Sequence, residues 1–256
     1  MRTIAVTGSA SGIGAAVRAR LEAEGDRVIG VDLRRAEVVA DLSHPKGRET
    51  AVAEVLTGSG FRLDGLVVCA GIGPQVRPSG KIVSVNYFGA ATLLAALRGA
   101  LISGEDSAAV AVSSNSATIS PGADGPLVEA CLDGDEAGAC RLAEEMESSQ
   151  VYAGAKLALA RFVRRNAPRD EWAGAGIRLN AVAPGAVATP LLQGGLDDPR
   201  LGPAIRNFPI PLRGFGHPDQ IAAAIAFLLS PEASFCCGSV LFVDGGSDAL
   251  IRADQF

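Results

Sequence analysis

The chain has 256 residues, 48% apolar and 20% charged, with a formal net charge of −5. That length and apolar share suffice for a substantial core and exclude a disordered chain. The acidic balance argues against a general nucleic-acid or anionic-membrane binder, which needs a basic footprint; Arg34-Arg35 and Arg164-Arg165 are short pairs read as solvated ends.

Met1-Arg2 leads into Thr3-Ile4-Ala5-Val6, an apolar run too short for a signal peptide. No run of about 18 consecutive apolar residues predicts a membrane span. The first predicted strand, over 3–7, ends in Thr7-Gly8-Ser9-Ala10-Ser11-Gly12-Ile13-Gly14, ahead of a helix near 13–24. Glycines between a strand and a helix have a physical task. Gly8 allows a tight turn, Gly12 lets backbone approach a pyrophosphate, and Gly14 lets the helix pack closely on the strand. The helix's first N–H groups and positive dipole end face the anion. Its place after the first strand gives this turn more weight than a glycine-rich loop has alone.

A second strand, over 28–31, runs into Asp32, 20 residues after Gly12. A carboxylate there accepts hydrogen bonds from the adenosine ribose hydroxyls and repels a 2′-phosphate. Ser11 and Leu33 supply no neighbouring cation, so NAD is expected over NADP; Arg34 and Arg35 are the guanidinium groups that could rescue a phosphate. A short run over 38–40 leads to Asp41-Leu42, a further cofactor candidate. Asp41 reads either as a contact near the adenine or as a turn carboxylate.

A helix near 46–57, a strand over 66–69, a helix near 81–98 and a strand over 109–112 follow. The strands are rich in Val and Ile and nearly continuous in apolar character, as in a parallel sheet covered on both faces. This alternation predicts a doubly wound α/β fold of about seven strands. Residues 1–256 are read as a single NAD-binding catalytic domain. Two segments break the pattern. Residues 121–149 are small and acidic, and Leu142 and Met146, four apart, suggest an amphipathic helix within them. Residues 186–212 carry five prolines among apolar residues and read as a mobile, apolar lid over a site.

Between those segments, Tyr152-Ala153-Gly154-Ala155-Lys156 opens a helix predicted over 152–166. Residues four apart share a helix face, so phenol and ammonium address one ligand. A free phenol, with a pKa of about 10, is a poor acid–base group at neutral pH. A nearby ammonium and an oxidised nicotinamide favour its phenolate, making it a tunable proton carrier. Tyr87, the other tyrosine, has Ala91 at that offset. A strand over 177–183, a helix near 218–229 and a strand over 240–243 follow.

These residues, in this order, resemble the short-chain dehydrogenase/reductase family over essentially the whole chain. Thr7-Gly8-x-x-x-Gly12-Ile13-Gly14 resembles its cofactor turn. Cys69-Ala70-Gly71 resembles a segment usually read Asn-Asn-Ala-Gly, with the asparagines replaced. Asn86, Ser114, Pro184-Gly185 with Thr189-Pro190, and Asp244-Gly245-Gly246 match further motifs. The resemblance implies that Ser114 bonds the substrate carbonyl, with Ser113 its competitor, and that Tyr152 exchanges the proton. Lys156 would hold the nicotinamide ribose and tune Tyr152, while Asn86 would support a water in a proton relay. Thr189 would orient the carboxamide, with Ala70, Gly71, Pro184, Gly185 and Val187 also lining the cofactor. Asn180 and Asp64 are read as structural.

Other segments resemble the branch of the family that acts on hydroxysteroids and other carbonyls. They are the run from Leu33 to Ser43, Cys69 to Gln75, Val85 to Ala90, Thr189 to Gln193, and Gln255-Phe256. Ser114 and Tyr152 lie 38 residues apart, longer than the family's usual spacing. The resemblance implies that the 121–149 insertion is helical and shapes a homodimer.

The expected function is NAD(H)-dependent interconversion of secondary alcohols and ketones, steroids and small aromatic or alicyclic ketones being candidate substrates. A non-steroid alcohol dehydrogenase is the alternative within the same chemistry. A silent NAD(H) sensor is opposed by the intact Ser114, Tyr152, Lys156 and Asn86. An enoyl reductase is opposed by the tyrosine–lysine spacing, and a methyltransferase finds support in the glycine turn alone. Five cysteines lack metal-ligand spacing, so no metal is expected. Reduced thiols in a cytoplasmic protein are the expectation.

Overall fold

The computed structural model describes residues 1–255; Phe256, part of the terminal pair noted above, lies outside the described residues. β1 (Thr3–Thr7) leads to α1 (Gly12–Ala23), β2 (Arg27–Asp32), β3 (Val38–Val39) and α2 (Pro45–Ser59). β4 (Gly65–Val68) precedes a helix in three parts: α3 (Gly80–Val83), a π-helical turn (Ser84–Gly89) and α4 (Ala90–Ile102). After β5 (Ala108–Val112) come α5 (Ser116–Ile119), α6 (Pro126–Leu132), α7 (Glu136–Glu144) and α8 (Ser148–Asn166). β6 (Arg178–Pro184), α9 (Pro190–Asp197), α10 (Gly202–Arg206), α11 (Pro218–Leu229), β7 (Val240–Val243) and α12 (Ser247–Ile251) follow.

The strands form one parallel, seven-stranded sheet in the order β3-β2-β1-β4-β5-β6-β7, the doubly wound architecture expected. Strand order reverses at β1 and β4, where a crevice opens outside the strands' carboxyl ends. β5 reads Ala-Ala-Val-Ala-Val and all five residues are buried. Successive side chains point to opposite faces. Ala109 and Ala111 join the larger core with Val55 of α2, Leu94 of α4 and Leu159 of α8, while Ala108, Val110 and Val112 join the smaller core with Val17 of α1 and Ile225 of α11.

Three expectations need correction. α8 begins at Ser148, so Tyr152 lies inside the helix and does not open it; the extended Glu147 is the residue before it. The insertion is helical, as the resemblance implies, but it folds as two helices, α6 and α7, and not as one. Met146 falls beyond α7, although it and Leu142 both pack on the larger core. The 186–212 segment contains α9 and α10, each with proline at its start. Proline is well placed there, because the first-turn N–H has no intrahelical partner to lose.

The helical run Gly80–Ile102 is, among the described residues, the one long and apolar enough to cross a membrane. Lys81, Ser84 and Asn86 interrupt its apolar residues, so it holds no long consecutive apolar run. Of its apolar window, 67% is buried inside the protein, so the core accounts for its composition. The insertion is fastened to this run and to its neighbours. The Gly80 N–H donates to Glu144 at 2.6 Å, Arg48 of α2 to Glu136 at 2.6 Å, and Arg161 of α8 to Asp124 at 2.7 Å.

Candidate active site

The glycine turn closes β1 onto α1 at the switch point. Gly8 sits at φ +69°, and a Cβ on it would come within 2.9 Å of the Ala70 backbone. A Cβ on Gly14 would strike the Gly8 carbonyl, so strand and helix touch there as expected. Gly12, at φ +53°, has a second constraint that its spacing did not show: a Cβ would press on Thr189 at 3.2 Å. α1 has no side-chain cap and no acid in its first turn. Its leading N–H groups are therefore left for an anion, and this donor set fits a pyrophosphate.

Asp32 ends β2. One carboxylate oxygen accepts from the Ala10 N–H at 3.0 Å and the other from the Leu33 N–H at 2.7 Å. The acid thus shapes the glycine turn as well as facing the cleft. Asp41 lines the cleft and accepts from the Ser43 N–H at 2.9 Å, which makes it a turn carboxylate. Burial works to raise its pKa, but the Ser43 hydrogen bonds and the charges of Lys81 and His44 hold it below the usual carboxylate value.

Gly8, Ser11, Gly12, Ile13, Gly14, Asp32, Asp41, Leu42, Ala70, Gly71, Pro184, Gly185, Val187 and Thr189 all line one cleft of about 1080 Å³, with Ser114, Tyr152 and Lys156. Asn86 does not line it. It is fully buried in the π-helical turn, its Nδ2 donating to the Ile72 carbonyl at 2.9 Å and its Oδ1 accepting from the Ile72 N–H at 2.8 Å. Its side chain therefore holds the loop after β4. A Cβ on Gly71 would lie 3.3 Å from Asn86 Oδ1 and 3.5 Å from Lys156 Nζ, so a glycine keeps the space between them open.

Both serines after β5 line the cleft, but their hydroxyls have different partners. Ser113 Oγ donates to the Lys156 carbonyl at 2.8 Å, which fastens the strand to α8. Ser114 faces the cleft, and its Oγ accepts from Ser116 Oγ at 3.0 Å. Tyr152 is half-buried. Burial raises its phenol above the ordinary value, and a hydrogen bond with Ser114 works against that rise. The expected lowering by Lys156 is not seen. Lys156 Nζ sits 6.0 Å from the tyrosine ring centroid and donates to the Val112 carbonyl at 2.7 Å. Burial brings the Lys156 ammonium down to about 8, and pushes the neighbouring Cys69 thiol up to about 12.

Several supporting residues were not legible in the sequence. Thr7 Oγ1 accepts from the N–H groups of both Cys69 and Ala70 at 3.0 Å. Asn115 donates to Asp244 at 3.2 Å, joining β5 to the Asp244-Gly245-Gly246 turn. Gln75 reaches from the β4 loop to the Leu191 carbonyl of α9 at 3.5 Å, tying the floor of the cleft to its cover. Each depends on a long-range contact that no local motif reports. Asn180 and Asp64 are structural, as expected: Asn180 bridges Cys236 and Ser239, and Asp64 accepts from the Thr3 and Glu105 N–H groups.

A doubly wound sheet with this glycine turn, this acid and a tyrosine–lysine helix at one cleft defines a dinucleotide-dependent oxidoreductase. A family model described as "Enoyl-(Acyl carrier protein) reductase" matches residues 139–248. The chain is 46% identical over 259 residues to 3-alpha-hydroxysteroid dehydrogenase/carbonyl reductase of Comamonas testosteroni, covering 100% of both. It is 29% identical to levodione reductase of Leifsonia aquatica, over 97% of this chain and 94% of that protein. The crystal structure of 3-alpha-hydroxysteroid dehydrogenase from Pseudomonas sp. B-0831 complexed with NADH superimposes with a TM-score of 0.96 at 55% identity, over 99% of this chain and 100% of that one. The chain belongs to the short-chain dehydrogenase/reductase family.

Proposed function

We propose that this chain interconverts secondary alcohols and ketones with NAD(H), and that a 3α-hydroxysteroid or another bulky, uncharged ketone is its substrate. The carrying observation is that Ser114, Tyr152 and Lys156 share one cleft with Asp32 and the glycine turn. The full-length similarity to 3-alpha-hydroxysteroid dehydrogenase/carbonyl reductase supports the substrate class. NAD(H), when bound, supplies or takes up the hydride. The α1 N-terminus and Asp32 hold its pyrophosphate and adenosine ribose, and Thr189, Pro184, Gly185 and Val187 surround its nicotinamide end. Ser114 donates a hydrogen bond to the carbonyl oxygen and stabilises the charge that develops there. Tyr152 gives its proton to that oxygen in reduction and takes it back in oxidation. With its phenol raised, Tyr152 keeps its proton at neutral pH, which suits reduction. Lys156 positions the nicotinamide ribose, and Asn86 holds the Ile72 loop beside it. Leu191, Leu192 and Phe208 give the far end of the cleft an apolar cover.

We also propose a cytoplasmic homodimer. Exposed Phe227, Phe235, Leu241 and Leu250, on and around α11, β7 and α12, support the self-association. The enzyme is tested by following NADH absorbance with a panel of ketones and hydroxysteroids. Turnover of 3-ketosteroids is expected, with Tyr152→Phe inactive yet still binding NADH. NADH binding without turnover of any panel member overturns the reading in favour of a sensor.

A further inference from the structure

A second cavity, of about 930 Å³, shares no lining residue with the cofactor cleft. It sits between α2, the π-helical turn, α6 and α8. Its floor is Tyr87 and Phe88, buried and edge to face with ring centroids 5.0 Å apart. Val52, Leu56, Leu132 and Phe162 supply apolar walls. Its size falls within the range of small-molecule sites, roughly 300–1,000 Å³, and its lining has their aromatic and aliphatic character.

The polar groups on this cavity are unevenly matched. Its two carboxylates already have cations: Glu136 pairs with Arg48 at 2.6 Å, and Glu49 lies 3.9 Å from Lys46. Arg165 and Arg169 also line it, both exposed, and neither is in an ion pair among the described residues. Arg48 is 3% exposed, and its Nη1 is buried without a hydrogen-bond partner. The Tyr87 phenol is held neutral by burial, with Cys131, Arg165 and Asp133 as the ionisable groups that bear on it. The surplus is therefore of donors and positive charge, set around an apolar floor. Guanidinium groups match carboxylate geometry closely, and those of Arg165 and Arg169 are the two on this lining without a carboxylate partner among the described residues.

We propose that this cavity binds an amphipathic carboxylate, with its apolar body against Tyr87 and Phe88 and its carboxylate at Arg165 and Arg169. The site is independent of the dehydrogenase chemistry, and its ligand is not the ketone that the cofactor cleft takes. None of Arg165, Arg169 and Ala91, the half-buried wall residue of α4, belongs to the catalytic machinery, so variants at these positions keep NADH-linked turnover. Retained turnover shows that each variant is folded.

The test is titration calorimetry of the full chain with dodecanoate below its micelle concentration, and with 1-dodecanol as the uncharged control. Saturable binding of dodecanoate at one site per chain is expected, with dodecanol weaker by about tenfold or more. Arg165→Ser/Arg169→Ser should weaken dodecanoate by a similar factor and leave dodecanol unchanged. Ala91→Trp, which fills the cavity, should remove both. The absence of saturable binding overturns the proposal. Binding that all variants retain also overturns it, because the carboxylate then lies in the cofactor cleft. Sedimentation that shows Arg165→Ser/Arg169→Ser dissociating an oligomer overturns it as well, since a second copy then covers this face.

Discussion

The Ser113 hydroxyl donates to the backbone carbonyl of Lys156 at 2.8 Å. The end of β5 is thereby pinned to the helix turn that carries the lysine, and the next residue, Ser114, is presented to the cleft beside Tyr152. One serine sets the register between strand and helix, and the other turns its hydroxyl toward the Tyr152 phenol in the cleft. Ser114→Ala is expected to lower kcat for ketone reduction by roughly 10²–10³, the usual cost of removing one donor to a developing oxyanion. Ser113→Ala should lower unfolding stability by about 1 kcal/mol and leave most of the turnover. Urea unfolding and steady-state rates on the two variants separate the roles. A larger rate loss in Ser113→Ala than in Ser114→Ala would reverse the assignment.

Lys156 has a stability signature of its own. Burial lowers its pKa from 10.5 to about 8, so the folded state binds this proton less well than the unfolded chain does. Below pH 8 both states are charged and the folded state carries the whole penalty. Between about 8 and 10.5 the folded state releases the proton first, so stability rises with pH. Above that range the penalty is gone. Its full size is about 3 kcal/mol. Lys156→Met removes it, but strands the Val112 carbonyl that Nζ now bonds, at about 1–2 kcal/mol. The variant should therefore be the more stable protein at pH 6 and the less stable at pH 11, with its turnover lost. Equal stability differences at both pH values would show that the lysine is not buried as a cation.

Much of this site could be read from the chain because its parts are local. The glycine turn, Asp32 and the tyrosine–lysine pair each depend on a strand end, a helix start or one helical turn, and period and spacing report those directly. Gly12 shows the limit. Its left-handed φ belongs to the turn, but its contact with Thr189 joins positions 177 residues apart. Asn86 shows another. The motif marked the position, but the commitment of its amide to Ile72 depends on how the π-helical turn faces the β4 loop. The start of α8 moved to Ser148 because tertiary packing of Val151 and Ser148 extends the helix through residues of little intrinsic preference.

The expected preference for NAD over NADP rests on Asp32. Its carboxylate faces the cleft while accepting from Ala10 and Leu33, and Arg34 and Arg35 line the same cleft. Removing the acid takes away the repulsion of a 2′-phosphate and leaves two guanidinium groups to attract it. Asp32→Ala should raise the ratio of kcat/KM for NADPH over NADH by at least about tenfold, a change of about 1.4 kcal/mol. Some NADH affinity should also be lost as the Ala10 N–H loses its acceptor. An unchanged ratio would mean that this carboxylate does not face the ribose.

Thr189 joins the cofactor turn to the cover of the cleft. Its Oγ1 accepts from the Leu192 N–H at 3.2 Å as the N-cap of α9, and donates to the Val187 carbonyl at 3.1 Å. Its methyl group also closes on the bare face of Gly12. Thr189→Val keeps the shape and removes both hydrogen bonds. Loss of an N-cap costs about 1 kcal/mol, so exchange of the Leu192 amide through opening of α9 should quicken about fivefold. NADH affinity should fall with it, since the hydroxyl lost is the one proposed to orient the carboxamide. Thr189→Ser keeps the hydroxyl and should restore the slow exchange and most of the affinity. If Thr189→Val weakens NADH while α9 exchanges at the original rate, the hydroxyl acts on the cofactor alone. If exchange quickens while affinity is unchanged, Thr189 is a cap and nothing more.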